Sequence, residues 1–109
     1  MSELTLKFKD NVINTYSLEG KKSFLIGRRK TNDLVIENLA VSGVHAKIES
    51  TEEGYVLSDL QSKNGTYVNK RSITNHLLKD NDVIRVGMHT LIFSKKGGRS
   101  GKKKSKGDK

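Results

Sequence analysis

The sequence predicts an all-β domain, a sandwich or a barrel of about ten short strands. Short apolar runs rich in isoleucine, valine and leucine recur along the chain, and polar residues separate them. No long stretch keeps the apolar period of about 3.6 residues that a helix requires. Proline is absent, and the glycines are spread along the predicted loops.

The first strands predict a hairpin. Leu4 and Leu6 alternate with polar residues, which indicates a half-buried strand over residues 4–8. The Asp-Asn pair at residues 10–11 is a turn signal, and residues 12–18 are the second strand.

A compact apolar run over residues 24–26 predicts a buried strand that stops at Gly27. Glycine at the end of a buried strand favours a close approach of the backbone to another group. A short strand follows over residues 34–36, and we expect Leu39 and Val41 in the next loop to point inward.

The second half of the chain predicts five further strands. They cover residues 44–50, 54–60, 66–68, 83–87 and 88–93. The expected core residues of the first two are Ala46, Ile48, Tyr55 and Leu57. Between the later strands we expect a turn at residues 69–71 and packing of Leu77 and Leu78 onto the fold.

The charge divides the chain into two parts. Residues 94–109 hold eight lysines or arginines and one aspartate, a net +7 of the chain's +9, which leaves +2 for residues 1–93. The segment 94–109 has no large apolar side chain, so it is predicted to be a disordered basic tail. Residues 1–93 are predicted to be one folded domain.

Composition excludes several classes of protein. There is no cysteine, hence no disulfide framework and no thiolate metal site. The charged, alternating start is unlike a signal peptide, and no apolar run approaches transmembrane length. We therefore expect a cytoplasmic protein with no membrane partner.

Three polar clusters, residues 27–29, 42–45 and 62–66, fall between the apolar runs. Each offers donors suited to an anion or to a peptide backbone. The guanidinium fork of Arg28 matches a phosphate, although a single arginine after a strand is also an ordinary surface charge. The Ser42 hydroxyl can donate to a phosphate oxygen or serve only a turn.

His45 has the pattern of a structural histidine. Its ring nitrogens are expected to tie the Arg28 loop to the Ser42 loop. His76 and His89 have no metal-ligand spacing with it, so no metal site is predicted.

The Asn64-Gly65 pair predicts a tight turn. The side chain of Asn64 also offers a donor and an acceptor to the main chain of an extended peptide. Lys63 adds positive charge next to it.

Together, the order and spacing of these clusters resemble the forkhead-associated (FHA) domain family over roughly residues 3–93. The pattern is Gly27-Arg28, Asn32-Asp33, Ser42-x-x-His45, Ser62-x-Asn64-Gly65-Thr66 and Val68-Asn69. The resemblance implies a sandwich of two twisted, mainly antiparallel sheets with ligand loops at one end. It implies a module that binds phosphothreonine peptides rather than phosphoserine peptides and recruits partners in kinase-dependent signalling.

The resemblance also implies a role for each site residue. Arg28 and Ser42 grip the phosphate, and Asn64 holds the peptide backbone. Lesser contributions are expected from Ser62, Lys63 and Asn69. The residues that shape the loops are Gly27, His45 and Gly65.

Position 43 departs from the family pattern, because many members carry a basic or amide side chain directly after the motif serine. Gly43 removes one contact, and Arg29 and Lys63 are the candidates to replace it. The residues that usually set preference after the phosphothreonine lie around residues 38–41 and near Lys70.

Two other classes of function compete with this interpretation. Ser42 and His45 suggest a nucleophile and a base, but no acid that orients the base accompanies them, so we expect no enzyme and no cofactor. A degenerate FHA-like scaffold would bind a protein partner without phosphate. Such domains usually lack the arginine or the serine, which this chain keeps.

We expect a monomer that binds a phosphothreonine protein in trans. The tail carries serines at positions 94, 100 and 105 but no threonine, and Thr15 and Thr51 are expected in turns of the fold. The basic tail suits nucleic acid, anionic lipid or an acidic surface. A solubilising disordered end explains its composition equally well, and it has no aromatic residue for base stacking.

Overall fold

The computed structural model describes residues 2–95, which contain eleven β-strands and no helix. In chain order, the strands are β1 (Ser2–Phe8), β2 (Asn11–Ser17), β3 (Ser23–Gly27), β4 (Leu34–Val35), β5 (Ala46–Thr51), β6 (Gly54–Asp59), β7 (Thr66–Val68), β8 (Arg71–Ile73), β9 (Asn75–Leu77), β10 (Val83–Val86) and β11 (His89–Lys95). Since no helix occurs between residues 2 and 95, this part of the chain has no helix that could cross a membrane.

The strands form two sheets. One has the order β2-β1-β11-β10-β7-β8 and the other the order β4-β3-β5-β6-β9. The β3–β4 pair is parallel, and the other strand pairs between residues 2 and 95 are antiparallel. The predicted all-β sandwich is confirmed.

The core lies between the sheets because apolar residues alternate along the strands. Leu4 and Leu6 of β1 are buried, while their neighbours in the strand are only partly buried. The side chains buried to less than 2% exposure include Leu18, Ile26, Leu34, Ile48, Leu57, Ile84, Leu91 and Phe93. The ring of Tyr55 packs edge-on against Phe93, with centroids 5.9 Å apart.

The loop before Ser42 differs from expectation at one residue. Val41 is buried as predicted, at 1% exposure, but Leu39 is 85% exposed, so its predicted inward position was wrong. A tight turn causes this: the Val41 N–H donates to the Asn38 carbonyl, and the Ala40 N–H donates to the Asn38 side chain, both at 2.9 Å. Leu39 therefore lies at the tip of the turn and faces solvent.

The short strands β8 and β9 were not predicted. They contain RSI and NHL, each only three residues long and mostly exposed. They pair at the edges of the two sheets, where burial imposes no apolar alternation. Of the two leucines expected to pack, Leu78 is buried and Leu77 is 41% exposed.

Other boundaries also shift. Strand β5 begins at Ala46 instead of residue 44, and Thr15 and Thr51 lie in β2 and β5 instead of turns. Strand β11 continues to Lys95, two residues beyond the predicted end of the domain. The remainder of the predicted tail, residues 96–109, lies outside the described residues.

The strand register brings three loops to one end of the sandwich. Ser2 pairs with Lys95 at one end of the β1–β11 ladder, and Phe8 pairs with His89 at the other. Strand β7 begins at the Phe8 end of the sandwich. The turn after β10 lies at the same end and is close to Val41, because a Cβ built on Gly87 would lie 2.9 Å from Cγ2 of Val41. The three polar clusters therefore share the end opposite to Ser2 and Lys95.

Candidate functional site

Two backbone hydrogen bonds align the first two polar clusters. The Arg28 N–H donates to the Ser42 carbonyl at 3.0 Å, and the Arg29 N–H donates to the Gly43 carbonyl at 3.1 Å. Gly27 permits this approach, because a Cβ there would lie 2.3 Å from the Gly43 carbonyl oxygen. Arg28 and Ser42 are thus placed side by side, as predicted.

The side chain of Asn32 also links these two segments. Its buried side-chain Nδ2 donates to the carbonyls of Arg29 and Gly43, both at 2.8 Å. The sequence pattern included Asn32 but assigned it no role in the site. Its position in the turn after Arg28 was the only local signal, and its partner Gly43 is eleven residues away.

Ser42 connects to the third cluster through its hydroxyl. Its Oγ accepts a hydrogen bond from the Lys63 N–H at 2.9 Å, and no acceptor for the hydroxyl hydrogen lies among residues 2–95. The hydroxyl is therefore free to donate to a ligand. Lys63 itself is exposed, and it takes part in the site through its backbone.

His45 is fully buried and braces two loops. Its Nδ1 accepts a hydrogen bond from the Ser42 N–H at 3.1 Å, and its Nε2 contacts the Gly65 carbonyl at 2.8 Å. Both contacts are satisfied only when Nε2 carries the hydrogen. The ring thus joins the Ser42 loop to the Gly65 loop, and the expected tie to the Arg28 loop was wrong. Backbone hydrogen bonds hold Arg28 instead.

Asp59 organises the third cluster, a role the sequence did not reveal. Its carboxylate accepts hydrogen bonds from Ser62 Oγ at 2.5 Å and from Thr66 Oγ1 at 2.7 Å. The Gly65 N–H in turn donates to Ser62 Oγ at 2.9 Å. Burial alone would raise the pKa of the Asp59 carboxyl, but these hydrogen bonds outweigh it and hold the pKa below its ordinary value.

Asn64 lies exposed at the tip of this loop, and its Nδ2 donates to the Ala40 carbonyl at 2.8 Å. Gly65 follows with φ +84°, a backbone conformation that favours glycine. The amide oxygen of Asn64 has no partner among residues 2–95, which leaves an acceptor available at the rim.

Asn69 stands apart from the other predicted site residues. Its side chain donates to Asp82 at 2.9 Å and accepts from the Val83 N–H at 3.0 Å. It therefore ties the turn after β7 to the start of β10. Ser62 is also held within its own loop, so among the lesser candidates Lys63 is the one that is exposed and whose side chain has no hydrogen bond to another residue between 2 and 95.

The rim of the three loops is positively charged. Arg28, Arg29 and Lys63 are exposed, and none of them forms an ion pair with another residue between 2 and 95. Residues 2–95 contain no cluster of histidine, aspartate or glutamate suited to a metal ion. The arrangement can bind an anion next to an extended chain.

A groove of about 740 Å³ lies beside this rim. It runs along the exposed face of β7 and β10, and its lining includes Tyr67, Lys70 and Arg85. Of the predicted ligand residues, Asn69 lines this groove, whereas Arg28, Ser42 and Asn64 do not.

Comparison with protein families matches the FHA domain over residues 24–87. A transcriptional regulatory protein, EmbR of Mycobacterium tuberculosis, is 39% identical over 77 residues, which are 70% of this chain and 20% of EmbR. The ABC transporter ATP-binding/permease protein Rv1747 of the same species is 39% identical over 69 residues, 63% of this chain and 8% of the relative. The chain thus spans only a small part of these relatives.

Solved structures show the same fold. The FhaA FHA domain in complex with the intracellular domain of Rv3910 superposes with a TM-score of 0.77 and 33% identity, over 85% of this chain and 99% of that one. M. tuberculosis EmbR in complex with a low-affinity phosphopeptide gives a TM-score of 0.75 and 33% identity, over 84% of this chain and 24% of that one.

Proposed function

Because the chain belongs to the FHA domain family, we propose that it binds phosphothreonine-containing segments of a partner protein and recruits that partner in kinase-dependent signalling. The match over residues 24–87 confirms the family predicted from the sequence. One observation carries the proposal: three groups that suit a phosphopeptide lie on one rim. They belong to Arg28, whose backbone is hydrogen-bonded to Ser42 and whose side chain is exposed, to the Ser42 hydroxyl and to the Asn64 amide.

Each group has a distinct task in this proposal. Arg28 neutralises phosphate charge through its fork, and Ser42 donates its free hydroxyl hydrogen to a phosphate oxygen. Asn64 presents its amide oxygen to an N–H of the peptide main chain while Ala40 holds its Nδ2. Charge-assisted hydrogen bonds contribute about 1.5–3 kcal/mol each. After the cost of association, the expected Kd is on the order of micromolar.

The geometry of Ser42 and His45 supports binding and not catalysis. Both ring nitrogens contact the backbone, one at the Ser42 N–H and the other at the Gly65 carbonyl. Neither is directed to the Ser42 hydroxyl, so His45 is not placed to act as its general base. We propose a non-enzymatic, cytoplasmic, monomeric reader that acts in trans and needs no cofactor.

The test compares three versions of a degenerate peptide library by calorimetry or fluorescence anisotropy. The versions carry phosphothreonine, phosphoserine or unmodified threonine at the fixed position. We expect micromolar binding of the first, weaker binding of the second and no measurable binding of the third. Arg28→Ala should abolish most binding, whereas Lys95→Ala, which removes an exposed positive charge at the opposite end of the sandwich, should not. Equal binding of phosphorylated and unmodified libraries would establish the phosphate-independent scaffold instead.

A further inference from the structure

Arg29 lies across the backbone of Gly43. A Cβ built on Gly43 would lie 2.9 Å from Arg29 Nε, 3.4 Å from its Cγ and 3.5 Å from its Cδ. The arginine side chain therefore occupies the space that a side chain at position 43 would need. This placement exists because residue 43 is glycine.

The backbone of Arg29 is fixed at both of its polar groups. Its N–H donates to the Gly43 carbonyl, and its own carbonyl accepts from the Asn32 side chain at 2.8 Å. The same register puts Arg28 beside Ser42. Arg29 therefore lies directly next to Arg28 and Ser42, the two residues proposed to hold the phosphate.

The charge at this point is uncompensated. Arg29 is exposed and has no ion pair with any residue between 2 and 95. A phosphothreonine carries a charge of about −1.5 to −2 at pH 7. One guanidinium neutralises only part of that charge, so a second arginine on the same rim adds affinity.

We propose that Arg29 is a second phosphate-binding residue of this site and that Gly43 is the residue that makes room for it. This inference rests on the proposed function. Arg29 replaces, from the neighbouring segment, the contact that a side chain at position 43 would otherwise supply. Lys63 was the other candidate, but its side chain has no contact that directs it over Gly43, and only its backbone N–H is tied to Ser42.

A double-mutant cycle tests the coupling between the two positions. The variants are Arg29→Ala, Gly43→Ala and the double variant, each titrated with the phosphothreonine library. Arg29→Ala should weaken binding about tenfold, as expected for one charge-assisted hydrogen bond. Gly43→Ala should weaken it severalfold by displacing the arginine side chain, and it should have no further effect when Arg29 is already alanine.

Two controls keep the result interpretable. Lys63→Ala should weaken binding less than Arg29→Ala, and thermal denaturation should show that all variants stay folded. The inference is overturned if Arg29→Ala binds the phosphothreonine library as tightly as the wild type. It is also overturned if Gly43→Ala lowers the affinity by the same factor in the wild type and in the Arg29→Ala variant. A failure of the proposed function looks different, because the wild-type domain would then bind phosphorylated and unmodified peptides equally.

Discussion

The imidazole of His45 donates from Nε2 to the carbonyl oxygen of Gly65, twenty residues further along the chain, at 2.8 Å. The ring is fully buried, and its other nitrogen accepts from the Ser42 backbone. One side chain therefore fixes the spacing between the loop that presents Ser42 and the loop that presents Asn64.

Replacing His45 by alanine should lower both stability and affinity. The change leaves the partly buried Ser42 N–H and Gly65 carbonyl without their partner, at up to about 1–3 kcal/mol each, and it opens a cavity at the buried ring. We expect a loss of roughly 3–5 kcal/mol in the free energy of unfolding, measured by urea denaturation. His76→Ala, at a half-exposed histidine, is the matched control and should cost less. A His45→Ala domain as stable as the wild type would contradict the bracing role.

Gly27→Ala should destabilise the domain more than Gly43→Ala. At position 27 the new Cβ meets the Gly43 carbonyl oxygen at 2.3 Å and Asn32 Nδ2 at 2.8 Å, and the carbonyl is backbone that cannot move alone. At position 43 it meets only the flexible Arg29 side chain. We expect Gly27→Ala to lower the free energy of unfolding by about 1–3 kcal/mol or more and Gly43→Ala to lower it little, as measured by thermal denaturation. Equal melting temperatures for the two variants would refute the close approach at Gly27.

The stability of the domain should fall in acid partly through Asp82. Burial alone would raise the pKa of this carboxyl, but hydrogen bonds from the Lys79 N–H, His76 and Asn69 outweigh it and keep the pKa below its ordinary value. A lowered folded-state pKa contributes stability above the unfolded-state value, near 4, and this contribution is lost as the pH falls through the folded-state pKa.

The Asp82→Asn variant removes that titration. It should lose about 1–3 kcal/mol at pH 7, because a charged acceptor is lost from a buried network. Its stability should also change less than that of the wild type between pH 5 and pH 2, as measured by denaturation at each pH. Asp10→Asn, at an exposed turn, is the control and should follow the wild-type curve. Identical acid profiles for Asp82→Asn and wild type would exclude Asp82 as a source of the pH dependence.

Asn64→Ala should weaken phosphopeptide binding about tenfold with a small effect on stability. The change removes the bond to the Ala40 carbonyl and the amide oxygen offered to the peptide, but the residue is exposed. Asn75→Ala, at an exposed asparagine in β9, is the control in the same titration. Unaltered affinity of Asn64→Ala would remove Asn64 from the binding residues.

Deletion of residues 96–109 should leave the phosphopeptide Kd within about twofold, because Lys95, the last described residue, pairs with Ser2 at the end opposite to the site. At physiological salt, charges more than about 8 Å apart are largely screened. Any binding to nucleic acid should disappear with these basic residues, as an electrophoretic mobility shift would show. A large loss of phosphopeptide affinity would place the tail in the peptide-binding function.

The order of the polar residues along the chain was informative enough to predict the family, whereas the binding roles of Arg28, Ser42 and Asn64 stay predictions. The run that ends at Gly27 and the apolar alternation around Leu4 and Leu6 predicted the strands that position the loops. The exposure of Leu39 was missed, since a tight turn at Asn38 decides it and the apolar character of the residue does not.

The supporting residues were harder to predict. Asn32 and Asp59 look like ordinary turn residues, and their roles depend on partners that the fold brings close, such as Gly43 for Asn32. The ring of His45 was assigned to the wrong pair of loops for the same reason. Local patterns identify the groups at the rim, whereas long-range hydrogen bonds decide what holds them there.

The pairing of Ser2 with Lys95 also determines how the domain responds to mechanical force. The two residues lie at the same end of the antiparallel β1–β11 ladder. Tension applied between them therefore acts across the ladder and opens its hydrogen bonds one after another. A ladder loaded in shear would instead resist with many bonds at once. We therefore expect the domain to open at low force when it is pulled at Ser2 and Lys95, with the Phe8–His89 end of this ladder, where the three loops lie, opening last.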